Sequence, residues 1–301
     1  MRRLMGWVVL LGLGSIAQPA AATFSVVAAE PATGRVGGAG ASCIGDYSVT
    51  VIYGSVPGRG ALHAQAALAD ATKALGVQLL EQGEAPAAII TAMTDPGFDA
   101  GATTRQYAVL DLTGAVASYT GPDTGPHASH RSGEVEGVTY AIQGNILTGV
   151  EVLERMEVAF AEGCDLPERL MRALEAGGLN GEGDSRCTPD LPADSGFMRV
   201  ETAEGGPVLD VDHTGTSPDD PVVLLRADYD AWRAEHPCPE PGGAGGATSE
   251  GAGGSAPTPT PNDDATQDAG CTLRAGPTTS LAIVAALAAL ALAGRRRRRH
   301  R

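Results

Sequence analysis

The residue with the clearest chemical potential stands behind a run of small ones, in Ala20-Ala21-Ala22-Thr23-Phe24-Ser25. Residues 1–22 read as a secretory leader. Arg2 and Arg3 form its charged start, an apolar stretch covers about residues 8–17, and Ala20 and Ala22 occupy the −3 and −1 positions that a signal peptidase prefers. Cleavage after Ala22 makes Thr23 a new N-terminus, with its hydroxyl beside a free α-amine. A threonine hydroxyl attacks poorly until a base takes its proton. An α-amine with a pKa near 7.7–8.0 can take it, directly or through one water. One residue then supplies both nucleophile and general base. The plainer reading is that any exported chain must start somewhere, and a threonine there need do no chemistry.

Other reactive residue types are few. Lys73 is the single lysine of the chain. His127, His130 and Arg131 sit in a polar stretch, residues 121–137, read as a long loop; such loops inside compact domains are often functional. His127 and His130 are three apart, yet no third ligand accompanies them, so the expectation is hydrogen bonding or substrate contact rather than a metal. Cys43, Cys164, Cys187 and Cys238 fall in the body of the chain and Cys271 beyond it. No CxxC pair occurs, which argues against zinc, and cysteines in an exported chain point to disulfides. Of the three pairings open to the four, Cys164 with Cys187 and Cys43 with Cys238 would staple one loop and tie the domain's end to its start. No Gly-x-Ser-x-Gly elbow stands between a strand and a helix. No cofactor is expected.

The elements that must position Thr23 follow from periodicity. Residues 23–29 alternate and are rich in β-formers, and Pro31-Ala32-Thr33-Gly34 reads as a turn. Residues 36–42 form a second strand of very small side chains, either tightly packed or a bare floor beside Thr23, and Ser42 at its end is a candidate substrate contact. Residues 49–52 extend the sheet and residues 54–60 make a loop. A helix is expected from Leu62 to Gln82, stopped by Gly83, and a shorter one over 87–93 behind Pro86. Strands at 106–112 and 115–119 flank a turn, and a further strand spans 140–145. Helices follow at about 148–161, with Val152, Leu153, Met156 and Phe160 as the buried stripe, and at 166–176. Strands at 195–201 and 208–213 precede a last helix over 218–236. Paired strands alternating with paired helices fit two packed antiparallel sheets with helices outside each, an α+β fold, better than a doubly wound sheet.

The folded part is acidic. Nine of the 21 Lys and Arg residues lie in residues 1–22 and 270–301, which contain no Asp or Glu; the remainder carries 12 basic against 36 acidic residues, a net of −24. A nucleic-acid partner needs the opposite surface. Residues 23–240 suffice for one domain. Residues 241–269 are a Gly/Ala/Pro/Thr-rich linker that cannot bury a core. Residues 270–301 hold Cys271, an apolar run of about 13 residues and an Arg cluster at 295–299, shorter than the roughly 20 residues of an unaided span. A transient stop or sorting segment fits it better than a permanent anchor.

These residues together resemble a bacterial family, domain of unknown function 1028, placed among the N-terminal-nucleophile hydrolases. The stretches that carry the resemblance are residues 23–28, Pro31-Ala32-Thr33-Gly34, residues 37–42, Tyr119-Thr120-Gly121, His130-Arg131, and Tyr140-Ala141-Ile142-Gln143-Gly144-Asn145. The chain departs from the family pattern around residues 53–65, and at Cys187 after Gly183-Asp184-Ser185-Arg186. The tail resembles a myxobacterial sorting signal. The resemblance implies a four-layer αββα sandwich and a nucleophile at the first mature residue, Thr23, acting on amide bonds through an acyl-enzyme. By analogy Gly144 and Asn145 would hold the oxyanion, with His130 or Arg131 on an anionic part of the substrate. The expectation is a secreted or surface-anchored N-terminal-threonine amidohydrolase for a small amide or peptide-like substrate. Its partners would be the export and sorting machinery and, at least transiently, a membrane; a homo-oligomer stays open. The competing expectation is a surface-displayed binding domain that keeps this fold without turnover.

Overall fold

The computed structural model describes residues 22–239. Residues 1–21 of the expected leader, and the expected linker and C-terminal sorting segment with Cys271, lie outside the described residues. Among the described residues, two antiparallel sheets and five α-helices make an α+β sandwich. The six-stranded sheet runs β10 (Pro207–His213), β9 (Ser195–Glu201), β2 (Arg35–Ser42), β1 (Thr23–Glu30), β8 (Val138–Asn145), β7 (Ser129–Val135). The four-stranded sheet runs β3 (Tyr53–Val56), β4 (Gly60–Ala66), β5 (Arg105–Asp111), β6 (Val116–Thr120). Helices α1 (Asp70–Gln82) and α2 (Pro86–Met93) pack on the smaller sheet. Helices α3 (Glu151–Ala161), α4 (Leu166–Gly177) and α5 (Pro221–Glu235) pack on the larger one. Among the described residues no helix is long and apolar enough to cross a membrane.

Strand β1 is central, and its alternation explains why. Phe24, Val26 and Ala28 join the core beneath the helices, with Met156, Leu170 and Leu174. Val27 and Ala29 join the core between the sheets, with Ile52, Leu110 and Phe197. Burying a side chain such as Phe24 contributes about 1.5–3 kcal/mol, and both faces of this strand do so. Thr23 and Ser25 therefore point, with Val27, into the space between the sheets. The small residues of β2 serve packing there. A Cβ at Gly38 would stand 2.5 Å from His63 Nε2 and 2.9 Å from Tyr53, so only glycine lets the sheets meet at that point. It is Ser42, not a glycine, that lies beside Thr23.

Three expectations change. Residues 49–52 form a 3-10 turn rather than strand. The segment read as the start of a helix at Leu62 is strand β4, buried along its whole length, and α1 begins only at Asp70. An inner strand covered on both faces has no polar alternation to reveal it. The presumed loop contains strand β7, whose exposed polar residues suit a sheet edge.

The cysteines pair as Cys43–Cys187 and Cys164–Cys238, with Cα separations of 5.8 and 5.9 Å, and not as Cys164 with Cys187 and Cys43 with Cys238. Chain path decides this. The Cys43 amide donates to Asp184 at 2.6 Å, which brings the 184–187 loop to the end of β2. Cys164 lies at the turn before α4, where Asp165 caps that helix and binds Arg233 of α5 at 2.6 Å, so the chain after α5 returns to it.

Candidate active site

Thr23 opens β1 and is 1 % exposed. In register it faces Ser42 of β2 on one side and Asn145 of β8 on the other. Its Oγ1 donates to Ser42 Oγ at 3.3 Å. Ser42 Oγ in turn donates to the carbonyl of Ala22. Arg186 Nη2 donates to the same carbonyl at 3.1 Å. Two side-chain donors thus converge on a carbonyl oxygen one peptide bond before Thr23.

Arg186 is held by Asp184, whose side chain is fully buried. The carboxylate accepts from Arg186 Nη2 at 2.7 Å, Arg186 Nε at 3.1 Å, the Arg186 amide at 3.0 Å and the Cys43 amide at 2.6 Å. The Cys43–Cys187 bridge closes the loop immediately after Arg186. Asp194 completes the one cluster of His, Cys, Asp or Glu ligand atoms among the described residues, with Cys43 and Cys187. There the sulfurs are bonded to each other, and Asp194 accepts the amides of Ile44 and Gly45 at 2.8 and 2.9 Å. It is a disulfide corner rather than a metal centre.

Behind Thr23 a buried polar chain crosses between the sheets, and its proton directions can be deduced. Gln106 Nε2 meets the carbonyls of Gly144 and Ser129, both at 2.9 Å, which fixes that end as the NH2. Gln106 Oε1 must then accept, from Gln65 Nε2 at 2.8 Å and Asn145 Nδ2 at 3.2 Å. Gln65 Oε1 takes the Ser25 hydroxyl at 2.6 Å, and His63 Nδ1 therefore donates to Ser25 Oγ at 3.0 Å. Burial, with Lys73 adding to it, pushes the His63 pKa down to about 3, so the ring is neutral and its bare Nε2 abuts Gly38. Asn145 is left with one N–H not used by Gln106 and an Oδ1 with no partner among the described residues.

The residues singled out in the sequence are distributed as follows. Thr23, Ser42, Gly144 and Asn145 meet at one end of three adjacent strands. Gly144 is observed as an acceptor, giving its carbonyl to Gln106. His130 points between the sheets, with Nδ1 2.9 Å from Thr120 Oγ1, and burial lowers its pKa. Arg131 lies on the other face, bound to Glu157 of α3 at 2.5 Å, so it does not join this group. His127 is exposed in the turn before β7. Four participants were missed: Asp184 and Arg186, visible only as a charged loop, and Gln65 and Gln106, which no motif marks.

Ile146, directly after Asn145, has φ of 51°. That region is costly for a β-branched residue. The Ser185 amide and hydroxyl hold its carbonyl at 3.1 and 2.8 Å, so the loop carrying Asp184 and Arg186 also maintains the strained turn beside Asn145. Such strain concentrates at functional sites. A surface cavity of about 420 Å³ lined by Arg35, Trp232, Arg233 and His236 lies at the opposite end of β2, about 23 Å along the strand from Ser42, and is separate from this group.

Comparison with known proteins places the chain. No curated protein matches it. The crystal structure of protein SPO2555 from Silicibacter pomeroyi, itself assigned to DUF1028, is similar: 28 % identity and a TM-score of 0.56, covering 70 % of this chain and 86 % of that one. Residues 23–234 match the family described as "Family of unknown function (DUF1028)", a match that begins on Thr23 itself. With that match running from the start of β1 nearly to the end of α5, the chain belongs to the DUF1028 family.

Proposed function

We propose that the exported chain matures by cleavage after Ala22 and acts as an N-terminal-threonine amidohydrolase, on a four-layer αββα sandwich of the N-terminal-nucleophile type. The observation that carries this is the position of Thr23: the first residue of a buried central strand, with Ser42, Asn145 and Arg186 gathered around it and around the Ala22 carbonyl. Two disulfides suit an oxidising, extracytoplasmic setting.

In this reading Thr23 Oγ1 attacks the substrate carbonyl and its own α-amine accepts the hydroxyl proton. The new O–C bond gives a tetrahedral oxyanion, and the C–N bond then breaks as the proton passes to the leaving nitrogen. Water cleaves the resulting ester, releases the acid and returns a proton to Oγ1. Asn145, through its remaining N–H, and the Ser42 and Arg186 donors that now hold the Ala22 carbonyl are the groups suited to the oxyanion. Each such donor is worth about 2.7–4 kcal/mol in the transition state. The test is turnover of a panel of N-acyl p-nitroanilides by wild type, Thr23→Ser and Thr23→Ala. Hydrolysis by wild type, weakened in Thr23→Ser and abolished in Thr23→Ala, is expected. Ligand binding alike in all three with no turnover in any favours a binding domain instead.

A further inference from the structure

Gln143 is fully buried on β8, and neither Oε1 nor Nε2 has a hydrogen-bond partner among the described residues. Buried amides are normally paired because an unmade bond in the interior is costly. Every other amide side chain of this wall, Gln65, Gln106 and Asn145, makes at least one bond. Gln143 is the exception, and its location gives the exception meaning. It shares a face with Asn145, two residues and about 7 Å along the strand. Its cross-strand neighbours are Ser25 and His130. It therefore lies one step deeper between the sheets than Thr23, in the same row.

We propose that the acyl part of the substrate carries an uncharged carboxamide-type group (a primary amide, peptide or ureido unit) and that Gln143 selects it. This deepens the hydrolase reading and rests on Thr23 marking the ligand site. A carboxamide presents a donor and an acceptor side by side and can close both Gln143 bonds at once. A carboxylate offers only acceptors and leaves Oε1 unpaired; an ammonium offers only donors and leaves Nε2 unpaired. Charge on this wall points the same way. Arg186 is already matched by buried Asp184, Arg131 faces α3 with Glu157, and His130 is engaged by Thr120. Asp184, conversely, is saturated by four N–H donors and offers nothing to a cation. Removal of the leader vacates the fully buried position of Ala22, the residue directly before Thr23.

The probes are three p-nitroanilides of similar length: glutaramyl (carboxamide end), glutaryl (carboxylate end) and hexanoyl (apolar end). Binding is measured by calorimetry on the full-length exported Thr23→Ala protein, where no turnover is needed, and kcat/KM on wild type. The glutaramyl compound is expected to bind about 5- to 150-fold better than the other two, the range for bonds left unmade in a buried site. That preference should vanish when Gln143→Met is added. Gln143→Met alone should fold with an unchanged or higher Tm, because it removes an unsatisfied buried amide in favour of an apolar side chain of similar size. Equal binding of the three probes, a preference that survives Gln143→Met, or a Tm lowered by several degrees would each overturn the proposal. Preference without turnover by wild type keeps this inference and removes the hydrolase reading; turnover without preference does the reverse.

Discussion

Asp184→Asn isolates the group that orients Arg186. The carboxylate is fully buried and accepts four N–H bonds, two to each side of the fork. An asparagine keeps one acceptor oxygen and places an NH2 where the other stood, facing donors. In one orientation it opposes the Cys43 amide and Arg186 Nη2; in the other it opposes the Arg186 amide and Nε. Two of the four bonds are lost either way. Bonds to a charged group contribute about 1.5–3 kcal/mol each, which gives about 3–6 kcal/mol before correction. Arg186 is about one-third exposed and can regain water, so the expected loss is nearer 3 kcal/mol. For a domain of this size that lowers Tm by about 6–12 °C. The control is Asp210→Asn, which breaks the Arg199 pair at the surface and should cost at most about 1 kcal/mol. Both are measured by guanidinium unfolding, with the m-value checked for constancy. If Asp184→Asn costs no more than Asp210→Asn, the buried carboxylate does not organise the 184–187 loop and its role beside Thr23 falls.

Two further outcomes follow from the same geometry. His63 is neutral in the fold with its pKa near 3 but ordinary, near 6.5, when unfolded. The unfolded chain then binds more protons between these values, so stability is full above pH 6.5 and declines as pH falls towards 3, by about 2 kcal/mol at pH 5. Unfolding midpoints at pH 7 and 5 for wild type and His63→Gln should show this decline shrinking in the variant; an equal decline in both would contradict it. Non-reducing peptide mapping should recover Cys43 with Cys187 and Cys164 with Cys238. Replacing the second pair by serine, which opens a loop of 74 residues, should lower stability by about 2–4 kcal/mol; recovery of Cys43 with Cys238 would contradict the fold at that corner.

Much of the scaffold is legible in the chain because local pattern and final environment agree. Strands β1, β2 and β8 sit where alternation and small side chains place them, and the α3 stripe of Val152, Leu153, Met156 and Phe160 is buried. Strand β4 is hidden because an inner strand covered on both faces loses its period, and its alanines read equally well as helix. Strand β7 is hidden for the opposite reason, as a polar edge. At the site, Thr23, Ser42 and Asn145 are recognisable as types at strand ends. The groups around them are not, since Gln65 reaches Ser25, Gln106 reaches Asn145, Asp184 reaches the Cys43 amide and Arg186 reaches the Ala22 carbonyl from about 40 to 160 residues away, and spacing carries no record of which strands face one another. Arg131 shows the limit of residue type alone: one position from His130, it points to the other side of the sheet.

The central claim is that Thr23 becomes a self-activated nucleophile. The most direct measurement is mass spectrometry of the exported protein after exposure to a β-lactone, which acylates reactive N-terminal threonines. The account predicts a mature chain beginning at Thr23 and one adduct on Thr23 Oγ1, absent from Thr23→Ala and blocked by prior acetylation of the α-amine. A mature chain that begins at another residue, or an unmodified Thr23 at its N-terminus, would contradict it.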